Sequence, residues 1–346
     1  MAGDRRTRVL VAGNGVAGLE AVLALQSLAP GRLELSMLAP ERHFTYRPLA
    51  AGAPFARATP ARVELAAIAR DRGFELTRDA VDRVDAAAHE VVTQEGAQLS
   101  YDVLVLALGA RPVVAVQGAV AFRGSHDAPT VAAALEAVGS PARVAYVARS
   151  AAMWTLPLYE LALHTAAWGA RRDAGLEVLV VTEEARPLSA VGGDASDRLA
   201  TLLAGSCVRF IPGTVVDHVR GGHLRMAAAA PIAVDLAVAL PHLVGPRVDG
   251  LPHDAQGFAR VDATGRMRGV DDVYAIGDMT DRPLRHDALA AEQADVAAAA
   301  IAAAAGASVH GGRLLGDAAP GRSAAEFAGF HLAPYLGTHG DLEPVA

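Results

Sequence analysis

Short apolar runs recur along the chain, and they are continuous rather than alternating with polar residues. Such runs are typical of parallel strands that are covered on both faces. They predict strands over residues 8–12, 33–38, 103–108, 143–147, 176–182 and 234–240.

Segments with helical character lie between these strands. They predict helices over residues 17–28, 60–72, 128–138, 156–170 and 194–203. Residues 80–99 are typical of a small antiparallel hairpin set. The order strand, helix, strand occurs twice, first from Arg8 and again from Arg143, and it predicts a doubly wound α/β fold.

The loop Gly-Asn-Gly-Val-Ala-Gly follows the first predicted strand and opens the first helix. In that context Gly-x-Gly-x-x-Gly is the dinucleotide-binding fingerprint. Gly13 permits the tight turn, Gly15 lets the backbone approach a pyrophosphate, and Gly18 lets helix and strand pack closely. The helix N-terminus, at Val16 and Ala17, offers N–H groups and a positive dipole end to phosphates. The alternative is a glycine-rich turn without a ligand.

The fingerprint also expects an acidic residue about twenty residues further on, where it bonds a ribose. Ala39 stands at that position. Glu41 follows two residues later, and Glu41 with its neighbour Arg42 is the candidate for cofactor binding there.

Net charge is −7 and no basic block is present, which argues against nucleic acid and anionic membranes as partners.

Cys207 is the single cysteine, so an intramolecular disulfide, a Cys-x-x-Cys redox pair and a cysteine zinc site are excluded. We expect Cys207 to be a small buried side chain. No histidine, cysteine and carboxylate cluster has metal-ligand spacing, so no metal site is predicted. No apolar run is long enough to span a bilayer, and the chain is predicted to be cytoplasmic.

Two later segments indicate which dinucleotide is bound. Residues 273–278, Val-Tyr-Ala-Ile-Gly-Asp, form a buried strand that ends in Gly-Asp, and residues 107–112 are Ala-Leu-Gly-Ala-Arg-Pro. They resemble the second FAD signature and the crossover motif of the pyridine nucleotide-disulfide oxidoreductase superfamily, with Leu108 where threonine is usual. The resemblance implies FAD as cofactor, held in part by Ala107, Gly109, Arg111, Gly277 and Asp278.

The same resemblance implies a glutathione-reductase-like pair of Rossmann-type three-layer domains. The FAD-binding domain would comprise residues 1–125 and 246–315, with a second Rossmann-like domain inserted at 126–245 and a tail at 316–346. The helix over residues 288–304 would direct its N-terminus, at Ala288 and Leu289, towards the flavin pyrimidine ring. Asp287 is interpreted as the cap of that helix, the alternative being a carboxylate that lowers the flavin potential.

The second unit departs from the usual NAD(P)H fingerprint. Its three glycine positions carry Ala148, Ser150 and Met153, and methionine fits poorly where helix and strand nearly touch. An acidic pair, Glu183-Glu184, follows the next strand. We therefore expect a Rossmann shape whose NAD(P)H site is lost or altered. That departure resembles sulfide:quinone oxidoreductases and flavocytochrome c sulfide dehydrogenases, and residues 39–55 also resemble type II NADH dehydrogenases. With one cysteine, the cysteine mechanism of the sulfide enzymes is not expected.

Glu160 and His164 share a face of one predicted helix. The resemblance places the glutamate near the flavin, where it could relay a proton. The alternatives are a glutamate favoured by the helix dipole or one paired with Arg285. His43 and His286 lie in loops expected near the flavin and complete the catalytic candidates, with chance placement as the alternative.

These features predict an FAD-dependent oxidoreductase that transfers electrons or hydride through flavin N5 between a small-molecule donor and a quinone or other acceptor, a protein acceptor included. One alternative is an NAD(P)H-dependent flavin reductase with a degenerate second nucleotide site. Another is a non-catalytic FAD-binding or scaffold protein that acts with a partner. A homodimer is usual in the superfamily and is predicted here. Residues 326–340 are expected to cover the flavin or dock on the dimer partner.

Overall fold

The structure is a computed structural model, and it describes residues 5–46, 48–56, 62–149 and 154–309. Its helices α1–α6 are, in chain order, Val16–Leu28, Leu65–Arg72, Ala128–Ala137, Leu156–Ala170, Gly193–Gly205 and Asp287–Ala304. Its strands β1–β20 are, in chain order, Thr7–Ala12, Leu33–Leu38, His43–Thr45, Arg62–Glu64, Glu75–Thr77, Val81–Asp85, Glu90–Thr93, Gln98–Ser100, Val103–Leu106, Arg111–Val113, Val120–Ala121, Ala142–Ala148, Leu176–Thr182, Val208–Ile211, His218–Val219, His223–Arg225, Ile232–Ala233, Leu236–Ala239, His242–Val244 and Val273–Ala275.

Two five-stranded parallel sheets form the two units of the fold. The first has the order β5-β2-β1-β9-β20, and it draws its last strand from residues far along the chain. The second has the order β14-β13-β12-β18-β11. We call these sheets, with the elements that cover them, the first and second units. In each unit the strand order reverses beside the central strand, at β1 and at β12, and such a switch point opens a ligand crevice.

Each sheet is apolar on both faces, which explains the continuous hydrophobic runs. In β1, Val9 and Val11 face α1 and α6, while Leu10 faces the antiparallel strands β6–β8. In the second unit, Tyr146 faces the helices and Val147 faces β15–β17. The predicted pair of three-layer Rossmann-type units is therefore confirmed. Helices cover one face of each sheet, and small antiparallel sheets cover the other.

The predicted helix over residues 60–72 is wrong in its first part. Residues 60 and 61 lie outside the described residues, and Arg62–Glu64 is the strand β4, which pairs antiparallel with β3. The helix α2 begins only at Leu65. Pairing with a neighbouring strand overrides helix propensity over this short stretch. The hairpin set predicted over residues 80–99 is present as β6–β8.

Candidate functional site

The glycine loop at the end of β1 is held by backbone contacts that exclude a side chain at two positions. Gly13 has φ +113°, and a Cβ there would lie 2.2 Å from the carbonyl oxygen of Ala107. A Cβ on Gly18 would lie 2.0 Å from the carbonyl oxygen of Gly13. The N–H of Gly13 donates to the carbonyl of Leu38 at 2.8 Å. The loop thus joins β1, β2 and the end of β9 at the switch point.

Gly15 differs from these two glycines because it faces open space. It is exposed, and a Cβ there would meet no atom within 4 Å. The helix α1 begins at Val16, without a side-chain cap and without an acidic residue in its first turn. Its first N–H groups therefore have no intrahelical partner. Free N–H groups, a positive dipole end and space for close approach fit the pyrophosphate of FAD.

Gly277 brings the far end of the chain to the same place. Its φ is +72°, and a Cβ there would lie 3.0 Å from the Cβ of Ala17 in α1. Its N–H donates to Oε1 of Gln293 in α6 at 2.8 Å. The half-buried Asp278 follows directly, beside the first turn of α1. The two predicted FAD segments are thus neighbours in the fold, and they fit one cofactor.

Arg285 fixes the turn after Asp278. Its guanidinium donates to the carbonyl oxygens of Asp278 at 3.1 Å and Thr280 at 3.0 Å, and it lies 3.9 Å from the ring centroid of Phe258. Burial lowers the pKa of Arg285. The suggested pairing of Glu160 with Arg285 is therefore wrong, because this guanidinium is engaged with backbone carbonyls of its own turn.

The remaining cofactor candidates lie on the segments that follow β2 and β9. Glu41 and Arg42 are exposed, and Arg42 Nη2 lies 3.1 Å from Oε1 of Glu64. His43 lies beside the glycine loop, since its carbonyl accepts from the Asn14 amide at 3.3 Å. Among the other candidates, Ala107 is buried, Gly109 is half-buried with φ +69°, and Arg111 is exposed in β10.

The N-terminus of α6 is capped by His286 rather than by Asp287. The helix begins at Asp287, and Nδ1 of His286 accepts the N–H of Leu289 at 3.4 Å. The interpretation of Asp287 as the cap is therefore wrong. Burial lowers the pKa of His286, so its ring is neutral at pH 7 with the proton on Nε2. Burial, reinforced by the Asp287 carboxylate, raises the pKa of the neighbouring Tyr46.

The two units meet through aromatic contacts along α4. The Trp154 and His286 rings lie 4.6 Å apart between centroids, and the Phe55 and His164 rings lie 5.5 Å apart. Because residues four apart on a helix share a face, Glu160 lies on the same side of α4 as His164. That side packs against the segment Pro48–Phe55, which connects β3 to β4 of the first unit and packs into the core of the second unit. Glu160 is therefore at the junction between the units.

The Glu160 carboxyl is half-buried, and no hydrogen-bond or charge partner among the described residues contributes to its pKa. Burial raises its pKa to about 7. A carboxyl that titrates near neutral pH in a junction between domains is suited to accept and return a proton. Of the three catalytic candidates, Glu160 and His286 lie on elements that meet at this junction. The ring of His43 is directed to the β3–β4 hairpin, with Nδ1 3.5 Å from Nη2 of Arg62.

Substituting Glu160 with glutamine is expected to change how stability depends on pH. The pKa of Glu160 rises from 4.5 to about 7 on folding, so the folded state holds a proton that the unfolded state releases. Wild-type stability should therefore fall relative to Glu160→Gln as the pH rises from about 4.5 to about 7, and the difference should then stay constant. Urea unfolding of both proteins across this range measures the difference. A difference that does not vary with pH would contradict the assignment.

Sequence reasoning missed Gln293, whose Oε1 accepts the N–H of Gly277, and Tyr46, whose pKa is raised in part by the Asp287 carboxylate at the α6 N-terminus. It also placed Cys207 in the interior, whereas this side chain is exposed. Ser150, Met153 and the segment 326–340 lie outside the described residues. In the described part of the chain no group of metal-ligating side chains forms a metal site, and no helix is long and apolar enough to cross a membrane.

The fold and the glycine loop define a protein with two Rossmann-type units, the first of which carries a dinucleotide-binding loop. The family model described as pyridine nucleotide-disulphide oxidoreductase matches residues 7–304. The chain belongs to this family, and it is an FAD-dependent oxidoreductase. A search among curated proteins finds no sequence match.

Solved structures share the fold at low sequence identity. Sulfide:quinone oxidoreductase from the hyperthermophilic bacterium Aquifex aeolicus superposes with a TM-score of 0.77 at 19% identity, covering 85% of this chain and 76% of that one. The ferredoxin reductase for the CYP199A2 system from Rhodopseudomonas palustris gives 0.67 at 20% identity, covering 86% and 76%. Putidaredoxin reductase, in its covalent complex with putidaredoxin, gives 0.64 at 19% identity, covering 86% and 75%.

Proposed function

We propose that this flavoprotein transfers two electrons between a small-molecule donor and a quinone or another acceptor, with Glu160 as the proton carrier. The observation that carries the proposal is the half-buried Glu160 carboxyl, whose pKa is about 7, at the junction of the two units. Bound FAD supplies the redox chemistry. Glu160 holds or releases a proton at its carboxyl, and reduction of a quinone to a quinol consumes two protons with the two electrons.

The rest of the junction supports this role. Trp154 and Phe55 give it an apolar, aromatic wall, and the neutral His286 contributes an Nε2–H donor. An apolar wall with few polar groups suits an uncharged, planar molecule. The fold likeness to a sulfide:quinone oxidoreductase agrees with a quinone acceptor, and the likeness to a reductase solved with putidaredoxin agrees with a protein acceptor.

The test uses the absorbance spectrum of the purified protein. We expect a flavin spectrum that dithionite bleaches, and reoxidation by duroquinone that is at least tenfold faster than for free reduced FAD. Reoxidation no faster than that of free FAD would contradict quinone reduction. A colourless protein that gains no flavin absorbance with added FAD would contradict the proposal as a whole, in favour of a scaffold role.

A further inference from the structure

Glu184 stands two residues past β13, the strand that follows β12 in the second unit and pairs with it. In a Rossmann unit an acidic side chain just past the second strand binds the ribose hydroxyls of a nucleotide. Here the residue is only 1% exposed. The neighbouring Glu183 is half-buried and is itself engaged within the chain. The carboxylate of Glu184 is thus turned into the protein, away from the crevice.

The hydrogen-bonded partner of Glu184 comes from the start of α4, where the phenol O–H of Tyr159 donates to Oε2. The Thr155 hydroxyl and the backbone N–H groups of Leu188 and Ser189 also favour the ionised carboxylate. Its Oε1 is buried with no hydrogen-bond partner among the described residues. Burial raises the pKa of Glu184, and the hydroxyls of Tyr159 and Thr155 oppose that shift. An internal hydroxyl, that of Tyr159, therefore bonds the buried carboxylate that would otherwise receive the hydroxyls of a ribose.

We propose that Glu184 is a positioning residue, which holds α4 through Tyr159 and Thr155 and thereby fixes Glu160 at the junction. Tyr159 and Glu160 are consecutive, so the bond to Glu184 fixes the rotation of the helix about its axis. Glu160 then faces the first unit while Tyr159 faces β13. The inference rests on the proposed function and narrows the class of electron donor. Because the Glu184 carboxylate is bonded internally, the second unit binds neither NADH nor NADPH, and the electron donor is another class of molecule.

Binding measurements test the closed site without using turnover. The holoprotein is titrated anaerobically with NADH, while flavin absorbance is followed, and separately with ADP-ribose by calorimetry. We expect no bleaching and no saturable binding of either ligand at millimolar concentration. Saturable binding of either one would overturn the inference, and it would leave the quinone and Glu160 tests of the proposed function unaffected.

Tyrosine variants test the positioning role. Tyr159→Phe removes the bond to Glu184. Tyr101→Phe is the matched control, because the hydroxyl of this buried tyrosine in the first unit has no hydrogen-bond partner among the described residues and lies away from α4. For each variant, the pH midpoint of Glu160 is taken from urea unfolding with and without Glu160→Gln. We expect Tyr159→Phe to lower the midpoint by about one pH unit, since a loosened helix admits water to Glu160. Tyr101→Phe should leave the midpoint unchanged.

Equal midpoints in the wild type and Tyr159→Phe would overturn the positioning role, whatever the two variants do to overall stability. If Tyr159→Phe does not fold, Thr155→Val removes only the second hydroxyl, with little change in shape. The same lowering of the midpoint is then expected for Thr155→Val, and an unchanged midpoint in that variant would overturn the role.

Discussion

Replacing Gly18 with alanine is expected to abolish FAD binding and to destabilise the protein by about 3 kcal/mol. The added Cβ would lie 2.0 Å from the carbonyl oxygen of Gly13, and this backbone atom cannot move aside as the end of a flexible side chain can. The start of α1 must shift to relieve the overlap, and the shift moves the N–H groups that face the pyrophosphate. Flavin absorbance per protein and urea unfolding measure the two effects.

Gly15→Ala is the matched control, because it adds the same methyl group where no atom lies within 4 Å. Its unfolding free energy should stay within about 1 kcal/mol of the wild type, as expected for a change at a helix N-cap. Its affinity for FAD should fall at least tenfold, about 1.4 kcal/mol, because the methyl group fills the space that the pyrophosphate needs. If both variants bound FAD as well as the wild type, the glycine loop would not be the FAD site.

Glu160→Gln is expected to slow quinone-driven reoxidation of the dithionite-reduced holoprotein by about a hundredfold. The amide keeps the size of the side chain and removes its ability to give up or take a proton. The wild-type rate should change with a pH midpoint near 7, and this midpoint should be absent from the variant. Stopped-flow absorbance with duroquinone across the pH range provides both readouts.

The control for this experiment is Glu136→Gln, which makes the same change at an exposed position of α3 in the same unit. It should retain the wild-type rate and pH profile, and both variants should hold a full complement of FAD. A Glu160→Gln variant that reacts as fast as the control would show that Glu160 carries no proton in the reaction.

Continuous apolar runs predicted the parallel strands well, because a strand buried on both faces must be hydrophobic at every position. The same reasoning could not predict what covers each face. Strands β6–β8 and β15–β17 cover the faces opposite the helices, and the role of these short, mostly polar strands becomes visible only when they pack. The helix prediction at Arg62–Glu64 was wrong for the same reason, because the conformation of this segment depends on pairing with His43–Thr45, about twenty residues earlier.

The cofactor could be predicted because glycine positions report backbone geometry directly, as Gly13 and Gly277 show with their positive φ angles. The residues at the junction between the two units, and their properties, could be predicted only in part. Glu160 was found through a resemblance, but its pKa depends on burial by a distant segment, and the bond from Tyr159 to Glu184 joins elements that no local pattern connects. The domain limits, the homodimer and the cytoplasmic location stay predictions.

The strand order of the first sheet also determines when its last strand becomes available during translation. β20 and Gly277, which lies against Ala17 at the start of α1, are translated only after the whole second sheet, roughly tens of seconds after the glycine loop at ribosomal speeds. The second unit can fold as a continuous stretch while β1, β2 and β9 still lack their last neighbour. Cofactor capture is therefore a late event, and a nascent chain arrested before residue 273 would display a folded insert but hold no flavin.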